Sequence, residues 1–171
     1  MTNPSIVNFA TPDLADAYPD AVRVCALPFQ DFGGRTAFAG QIRTVVCYED
    51  NQLVKQVIQQ PGNGGILVID GGGSPRRALL GDLNAALARD NGWSGLVING
   101  VIRDAALIGD IELGVKALGV TPLRSSKTGA GAIDVPVVFG DALFEPGDWL
   151  YCDRDGVLVA KAPLSLAAAS E

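Results

Sequence analysis

The chain has 171 residues, of which 48% are hydrophobic and 19% are charged, and this composition predicts one globular domain, 1–171, with a full core. Thirteen Lys and Arg residues against nineteen Asp and Glu give a net charge of −6, so we expect no direct binding to nucleic acid. The chain contains no histidine. This excludes His-assisted nucleophiles, His-ligated zinc and an imidazole general base.

The sequence also bears on the cellular compartment. No Lys or Arg precedes Arg23, no early stretch resembles a signal-peptide core, and no run of about 18 apolar residues occurs. We therefore expect a cytoplasmic protein without a membrane span. Cys25, Cys47 and Cys152 are an odd number without a CxxC pair, which favours reduced, structural cysteines.

The first third of the chain is predicted to contain short helices and strands. Residues 11–18 predict a helix with Thr11 as the N-cap and Pro12 at the first helical position. Residues 35–48 indicate one bent strand or a pair of strands. Residues 51–59 predict a helix that ends before a Pro-Gly pair.

The centre of the chain predicts a βαβ unit. Residues 65–70 and 95–99 are short, continuously apolar runs, typical of parallel strands that are buried on both faces. Between them, either one helix begins at Ser74, or the chain breaks at Gly81 and a helix begins with Asp82 as its N-cap. We prefer the second interpretation because it gives the helix one apolar face. That face consists of Leu83, Ala86 and Leu87.

The rest of the chain is predicted to be rich in β-structure. After a short helix at residues 105–108, strands are expected at residues 120–123 and 135–139. A hairpin is expected to join residues 149–152 to residues 157–161. The predicted fold class is therefore α/β with a mixed sheet, in which the βαβ unit carries the candidate site.

Several other patterns favour a structural role. The glycines at residues 71–73 lack the spacing of a phosphate-binding loop, and residues 125–131, although suited to an anion, are interpreted as a solvated loop. The acidic residues near Arg154 are interpreted as a hairpin turn and not a calcium loop. A Schiff-base mechanism is not favoured, since every candidate lysine has turn-like or surface-like neighbours. These lysines are Lys55, Lys116, Lys127 and Lys161.

A more specific pattern is Asp82, followed after twenty residues by Arg103 and Asp104. Taken alone, an Arg–Asp pair in a turn is more often a surface ion pair or a helix cap. If Asp82 opens a helix, however, the amides of Leu83 and Asn84 are free donors for a substrate carboxylate. Arg103 and Asp104 follow the next strand, so neighbouring strands would bring them close to that helix start.

Five segments give the chain its resemblance to a known family, and they read FATPDLADAYPD, FGGRTAFAGQIRTVVCYEDN, VIDGGGSPRRALLGD, GWSGLVINGVIRD and GDWLYCDRDGVLVA. From about Thr11 to Val159 the chain resembles the family that contains the regulator of ribonuclease activity and the class II 4-hydroxy-4-methyl-2-oxoglutarate aldolases. The aldolase branch carries D-x20-R-D, here Asp82, Arg103 and Asp104, and the inhibitor branch departs from it. The motif therefore favours retained catalysis.

The resemblance implies a fold, an assembly and an activity. The fold is a β/β/α swivelling type, assembled as a homotrimer with active sites at the interfaces. The activity is that of a lyase that cleaves 4-hydroxy-4-methyl-2-oxoglutarate-type substrates to pyruvate through a metal-stabilised enolate, with oxaloacetate decarboxylase side activity. The alternative is a non-catalytic regulatory protein that binds and inhibits an endoribonuclease.

The resemblance also implies roles for individual residues. Asp104 is expected to ligate Mg²⁺ or Mn²⁺ directly, and Asp82 to hold one of the waters of the ion. Arg103 is expected to hydrogen-bond the C2 oxygen of a small 2-oxo acid. The expected substrate-binding segment consists of Gly81, Asp82, Leu83 and Asn84. A hard divalent ion that keeps several waters needs few protein carboxylates and no histidine.

Overall fold

The computed structural model describes residues 8–166. Residues 1–7 and 167–171, which are the two ends of the predicted 1–171 domain, lie outside the described residues. The first of these ranges also begins the stretch that was predicted to lack a signal-peptide core. Within 8–166 the helices are α1 (Thr11–Ala17), α2 (Gln52–Ile58), α3 (Asp82–Asp90) and α4 (Ala105–Gly109). None of these helices is long and apolar enough to cross a membrane.

Thirteen strands lie in the same part of the chain. The first seven are β1 (Val22–Val24), β2 (Gln30–Asp31), β3 (Phe38–Val46), β4 (Ile66–Asp70), β5 (Gly95–Asn99), β6 (Val101–Ile102) and β7 (Gly114–Ala117). The others are β8 (Gly119–Val120), β9 (Ala132–Ile133), β10 (Val137–Phe139), β11 (Ala142–Phe144), β12 (Trp149–Asp153) and β13 (Gly156–Ala160).

The main sheet is mixed, as predicted. Its strand order is β1-β13-β12-β3-β4-β5-β7-β2, and β9 pairs with β3. The pairs β3–β4, β4–β5 and β5–β7 are parallel, whereas the pairs that involve β1, β2, β12 and β13 are antiparallel. The predicted βαβ unit is therefore the centre of the sheet.

The sheet is covered on both faces. Leu67, Ile69 and Ile98 point into a core that also contains residues of α2 and α3. Val68 and Val97 alternate with them and pack with the β10–β11 hairpin. This β/β/α layering explains why β4 and β5 are continuously apolar, because strands that are buried on both faces have no solvent-facing positions.

Two helix starts differ from the prediction. Helix α1 has Ala10 at its N-cap, and Thr11 lies inside the helix with its amide and hydroxyl donating to the Asp153 carboxylate, at 2.7 and 2.6 Å. The predicted break at Gly81 is confirmed, but Gly81 itself is the N-cap and Asp82 is the first helical residue. Asp82 as the N-cap was therefore wrong by one position.

The apolar face of α3 was also assigned incorrectly. Leu83, predicted to face the core, is 81% exposed, and Ala85 and Ala88 are the fully buried residues of the helix. Ala86 and Leu87 are partly buried. Small alanines allow the helix to pack closely on the sheet, and this orientation leaves the first turn free at the surface.

Strand β7 was missed in the sequence because a lysine interrupts its apolar run. Lys116 is only 2% exposed and its Nζ lies 3.0 Å from a carboxylate oxygen of Asp31, so the prediction of surface-like surroundings was wrong for this lysine. A buried ammonium needs such a partner. The strand expected at 120–123 is limited to Val120 at the end of β8, whereas the segment 35–48 contains one strand, β3, and not a pair.

Asp50 holds the loop that follows Ser126 against the start of α2. Its carboxylate, on a residue that is 3% exposed, accepts hydrogen bonds from the Thr128 amide (2.6 Å) and hydroxyl (2.7 Å) and from the Gln52 and Gly129 amides (3.2 Å each). Burial alone would raise the pKa of Asp50, but these donors outweigh it and lower the pKa. The charged carboxylate is thus part of the fold.

This geometry predicts an acid-sensitive loop. Because the pKa of Asp50 is lower in the folded than in the unfolded chain, its contribution is complete above the unfolded value of about 3.9 and is lost as the pH falls through the folded value. Urea unfolding from about pH 5 to about pH 2 should give a shallower decline of the free energy of unfolding for Asp50→Asn than for the wild type. The exposed control Asp110→Asn should follow the wild type; equal slopes for all three proteins would contradict the role of Asp50.

Candidate functional site

Backbone pairing brings three distant segments together at the carboxyl ends of β4 and β5. The Leu79 amide donates to the Val101 carbonyl (2.9 Å), and the Arg103 amide donates to the Leu80 carbonyl (3.0 Å). On the other side, the Ala78 amide donates to the Leu123 carbonyl (2.8 Å). Residues 78–81 therefore run between the segment that leads to Arg103 and the segment that leads to Arg124.

This pairing places the members of the D-x20-R-D motif side by side. The Asp82 amide lies 3.3 Å from Asp104 Oδ2 and donates to it, and Arg103 Nε lies 3.8 Å from the same oxygen. Asp104 has a φ of 55° at the N-cap of α4, in the left-handed region that aspartate tolerates better than most residues. Such backbone strain is common where a side chain must be aimed at a site.

The absence of a side chain at Gly81 permits this approach. A Cβ at this position would lie 2.9 Å from Asp104 Oδ2 and 3.5 Å from Arg103 Nε. The φ of Gly81 is −125°, which any residue can adopt, so the glycine is required for space and not for conformation. Gly81 is thus the N-cap of α3, and it leaves the space that the Asp104 carboxylate occupies.

All six predicted site residues line one cavity of about 220 Å³. This volume lies below the range of about 300–1,000 Å³ that drug-sized ligands occupy, and so it suits a small acid. The first-turn amides of α3 have no acceptor within the helix and lie at the positive end of its dipole. The site residues are Gly81, Asp82, Leu83, Asn84, Arg103 and Asp104.

The cavity also contains residues that the sequence interpretation left out. The prediction of a solvated loop holds for most of residues 125–131, since residues 126–128, 130 and 131 are exposed, but Ser125 is 5% exposed and donates to the Ala78 carbonyl at 2.7 Å. Lys55 and Lys127, assigned to surface-like surroundings, both line the cavity. The missed lining residues are Asn51, Lys55, Ala78, Arg124, Ser125 and Lys127. The polar composition of residues 125–131 was a signal for two of them, Ser125 and Lys127.

The cavity has the opposite charge balance to the chain. Four cationic side chains line it, against the two carboxylates of Asp82 and Asp104, whereas the whole chain has a net charge of −6. The cations are Lys55, Arg103, Arg124 and Lys127. A concave site with a surplus of positive charge attracts anions and favours their binding.

The donor set fits a hard, water-rich cation. Between residues 8 and 166 no group of three or more His, Cys, Asp or Glu side chains forms a metal cage. Mg²⁺ is commonly held by only one or two carboxylates and retains several waters. The Asp104 side chain is 36% exposed toward solvent, beside Asp82, so these two carboxylates match that mode of binding.

The cysteines agree with the prediction that they are reduced and structural. All three are buried and free of disulfide bonds. Burial raises the pKa of Cys25 to about 11 and that of Cys47 to about 12, and it also raises the pKa of Cys152. Thiols that remain protonated at neutral pH are poor nucleophiles and poor metal ligands.

The sequence is similar to curated proteins over almost its whole length. A protein of Azotobacter vinelandii is 49% identical over 160 residues, which cover 94% of this chain and 99% of the relative. A protein of Pseudomonas fluorescens strain SBW25 is 51% identical over 159 residues, covering 93% and 98%. Both relatives bear the name "putative 4-hydroxy-4-methyl-2-oxoglutarate aldolase".

Solved structures share the fold. The RNA-processing inhibitor RraA from Thermus thermophilis has a TM-score of 0.90 at 41% identity, covering 93% of this chain and 96% of that one. A Geobacillus kaustophilus protein, described as an S-adenosylmethionine: 2-dimethylmenaquinone methyltransferase, has a TM-score of 0.88 at 47% identity, covering 91% and 97%. The family model described as RraA-like, Aldolase/RraA, matches residues 11–159. The chain therefore belongs to the RraA-like family.

Proposed function

We propose that the protein is a divalent-metal-dependent class II pyruvate aldolase for 4-hydroxy-4-methyl-2-oxoglutarate-type substrates. The observation that carries the proposal is the convergence of Asp82, Arg103 and Asp104 on one cation-rich cavity. The names of the relatives from Azotobacter vinelandii and Pseudomonas fluorescens support the same reaction.

Substrate binding is assigned to the start of α3 and to Arg103. The amides of Leu83 and Asn84, at the positive end of a nine-residue helix, suit the C1 carboxylate of a 2-oxo acid. The Arg103 guanidinium, whose side chain is 40% exposed in the cavity, suits the C2 oxygen. These contacts orient the acid with its C2 oxygen toward the strongest donor.

Arg103 then acts on the charge that develops during cleavage. When the C3–C4 bond of the substrate breaks, the C4 hydroxyl gives its proton to water and becomes a carbonyl, and the electron pair of the bond moves to the C2 oxygen. There the positive guanidinium binds the negative charge more tightly than it binds the neutral ketone. An interaction that strengthens in the transition state is what accelerates a reaction. When the C4 carboxylate of oxaloacetate leaves as CO2, the electron pair of the C3–C4 bond places negative charge on the same oxygen, so we also propose oxaloacetate decarboxylase side activity.

Asp104 and Asp82 are the residues that would hold Mg²⁺ or Mn²⁺, Asp104 directly and Asp82 through a water. When bound, the ion supplies a Lewis acid that polarises the substrate carbonyl. Gly81 contributes by leaving room for the Asp104 carboxylate, since a Cβ there would lie 2.9 Å from Oδ2. Asp104 itself lines the cavity.

A second candidate function is that of a regulatory protein that binds and inhibits an endoribonuclease. The observation that favours it is the similarity, at 41% identity and a TM-score of 0.90, to the RNA-processing inhibitor RraA from Thermus thermophilis. Such a protein needs a binding surface but no catalytic cavity. The D-x20-R-D convergence therefore favours the aldolase.

Metal dependence is tested by pyruvate release. We expect the protein to form pyruvate from 4-hydroxy-4-methyl-2-oxoglutarate and from oxaloacetate, to lose this activity with EDTA and to regain it with added Mg²⁺ or Mn²⁺. Asp104→Asn should abolish the response to metal, because asparagine keeps the left-handed backbone but removes the charge. Asp110→Asn is the matched control and should behave as the wild type. Absence of pyruvate from both substrates would favour the endoribonuclease candidate.

The role of Arg103 predicts a loss in turnover. Arg103→Ala should lower kcat by about 100-fold or more, the scale seen when an oxyanion donor is removed, and Arg103→Lys should recover part of the loss. Steady-state kinetics with oxaloacetate measures the effect. Near-normal kcat for Arg103→Ala would show that the guanidinium does not bind the developing charge.

We also propose a homotrimer, as the family resemblance implies. Exposed aliphatic side chains beside the cavity support an assembly, since Leu83 is 81% and Leu123 is 49% exposed. Large aliphatic groups at a cavity rim are suited to contact with another subunit. Light scattering should give about three times the mass of the chain, and a monomer at micromolar concentration would contradict the proposal.

A further inference from the structure

Most cations of this protein are paired, but three of the four that line the cavity are not. Of the thirteen Lys and Arg residues, all of which lie in the described part of the chain, eight have a carboxylate oxygen within 4 Å. Arg77 donates instead to the Arg124 carbonyl. The side chains that make no ion pair or hydrogen bond within residues 8–166 are Lys55, Arg124, Lys127 and Arg154.

Three of these four free cations line the same cavity. In a chain with nineteen acidic residues and thirteen basic ones, a cation is expected to find a carboxylate. Lys55, Arg124 and Lys127 nevertheless face a shared space without one, although Asp82 and Asp104 line that space too. Lys55 is partly buried, whereas Arg124 and Lys127 are exposed, so water screens part of their mutual repulsion and a bound anion would remove more of it.

The fold keeps these cations in place by contacts that do not use their charges. Asp50 fixes both the start of α2, three residues before Lys55, and the loop at Thr128, next to Lys127. The Arg77 guanidinium donates to the Arg124 carbonyl at 2.9 Å, and the Ser125 hydroxyl donates to the Ala78 carbonyl at 2.7 Å, so both residues hold the segment that carries Arg124. The charged ends remain available to a ligand.

None of these three cations belongs to the D-x20-R-D motif: Lys55 precedes it in the chain, and Arg124 and Lys127 follow it. Arg103 and the first-turn amides of α3 suffice for the 2-oxo acid end of a substrate. A molecule that is held there and carries a second carboxylate would place the latter among the remaining cations of the same cavity. Lysine and arginine form strong charge-assisted hydrogen bonds with carboxylates.

We infer that Lys55, Arg124 and Lys127 form a second anion subsite that binds the remote carboxylate of the substrate and so selects 2-oxo acids with a second carboxylate over those with an alkyl end. This inference rests on the proposed function, because it takes the first end of the substrate to be bound beside Arg103. It assigns specificity to residues outside the D-x20-R-D motif.

The test compares two acids that differ at one end only. Isothermal titration calorimetry with Mg²⁺ present measures the binding of 2-oxoglutarate and of 2-oxopentanoate, in which a methyl group replaces the second carboxylate. The variants are Lys55→Met, Lys127→Met and the double variant, in which methionine keeps the length of the side chain without its charge. Arg154→Met is the matched control, a free cation in the β12–β13 turn.

We expect the wild type to bind 2-oxoglutarate at least about tenfold more tightly than 2-oxopentanoate, the size of one or more charge-assisted hydrogen bonds. The double variant should lose most of this preference while its affinity for 2-oxopentanoate is unchanged, and Arg154→Met should keep the preference. Equal affinities in the wild type, or an undiminished preference in the double variant, would overturn the subsite. Each single variant should lose part of the preference, which keeps the test valid if the double variant does not fold.

The binding measurement separates this inference from the proposed reaction. If the preference and its loss are observed but no pyruvate is formed from any substrate, the subsite stands and the aldolase function fails. If pyruvate is formed but the charge-removing variants bind both acids as the wild type does, the function stands and the subsite fails.

Discussion

The site of this protein depends on a pair of backbone hydrogen bonds between the Leu79–Leu80 and Val101–Arg103 segments, at the end of the parallel β4–β5 pair. These bonds set the start of α3 beside the turn that carries Arg103 and Asp104. The position of the Asp104 carboxylate over Gly81 follows from them, as does the opening of the first-turn amides into the cavity. A shift of one residue in this pairing would move Asp82 away from Arg103 and Asp104.

Asp50 positions the second group of cavity residues, Lys55 and Lys127. Asp50 accepts bonds from Thr128, 78 positions later in the chain, and so brings the loop with Lys127 to the helix that carries Lys55. A buried carboxylate thereby organises a cation-rich surface without neutralising it. The lack of histidine is compatible with the proposed reaction, because arginine, lysine and backbone amides of the cavity, together with the proposed hard cation, would supply the positive charge that binding and cleavage of an oxo acid require.

Errors in the sequence interpretation came from residues whose environment is set at long range. Leu83 is apolar but exposed, since the alanines of α3 determine which face packs on the sheet. Lys116 is charged but buried, since Asp31 on the neighbouring edge strand pairs with it. A local sequence pattern predicts whether a residue is buried from the polarity of that residue alone. It does not show the distant residue that packs against it or pairs with it and so reverses the prediction.

The sequence by itself determined the two buried strands, the break at Gly81 and the D-x20-R-D spacing, because each is a local pattern of apolar runs or fixed intervals. It also determined that no imidazole takes part in the chemistry. Only the tertiary structure decided that Lys55, Arg124 and Lys127 share a cavity with that motif and remain unpaired. The physical reason is that their meeting depends on long-range hydrogen bonds, above all those of Asp50, whose partners no local spacing reveals.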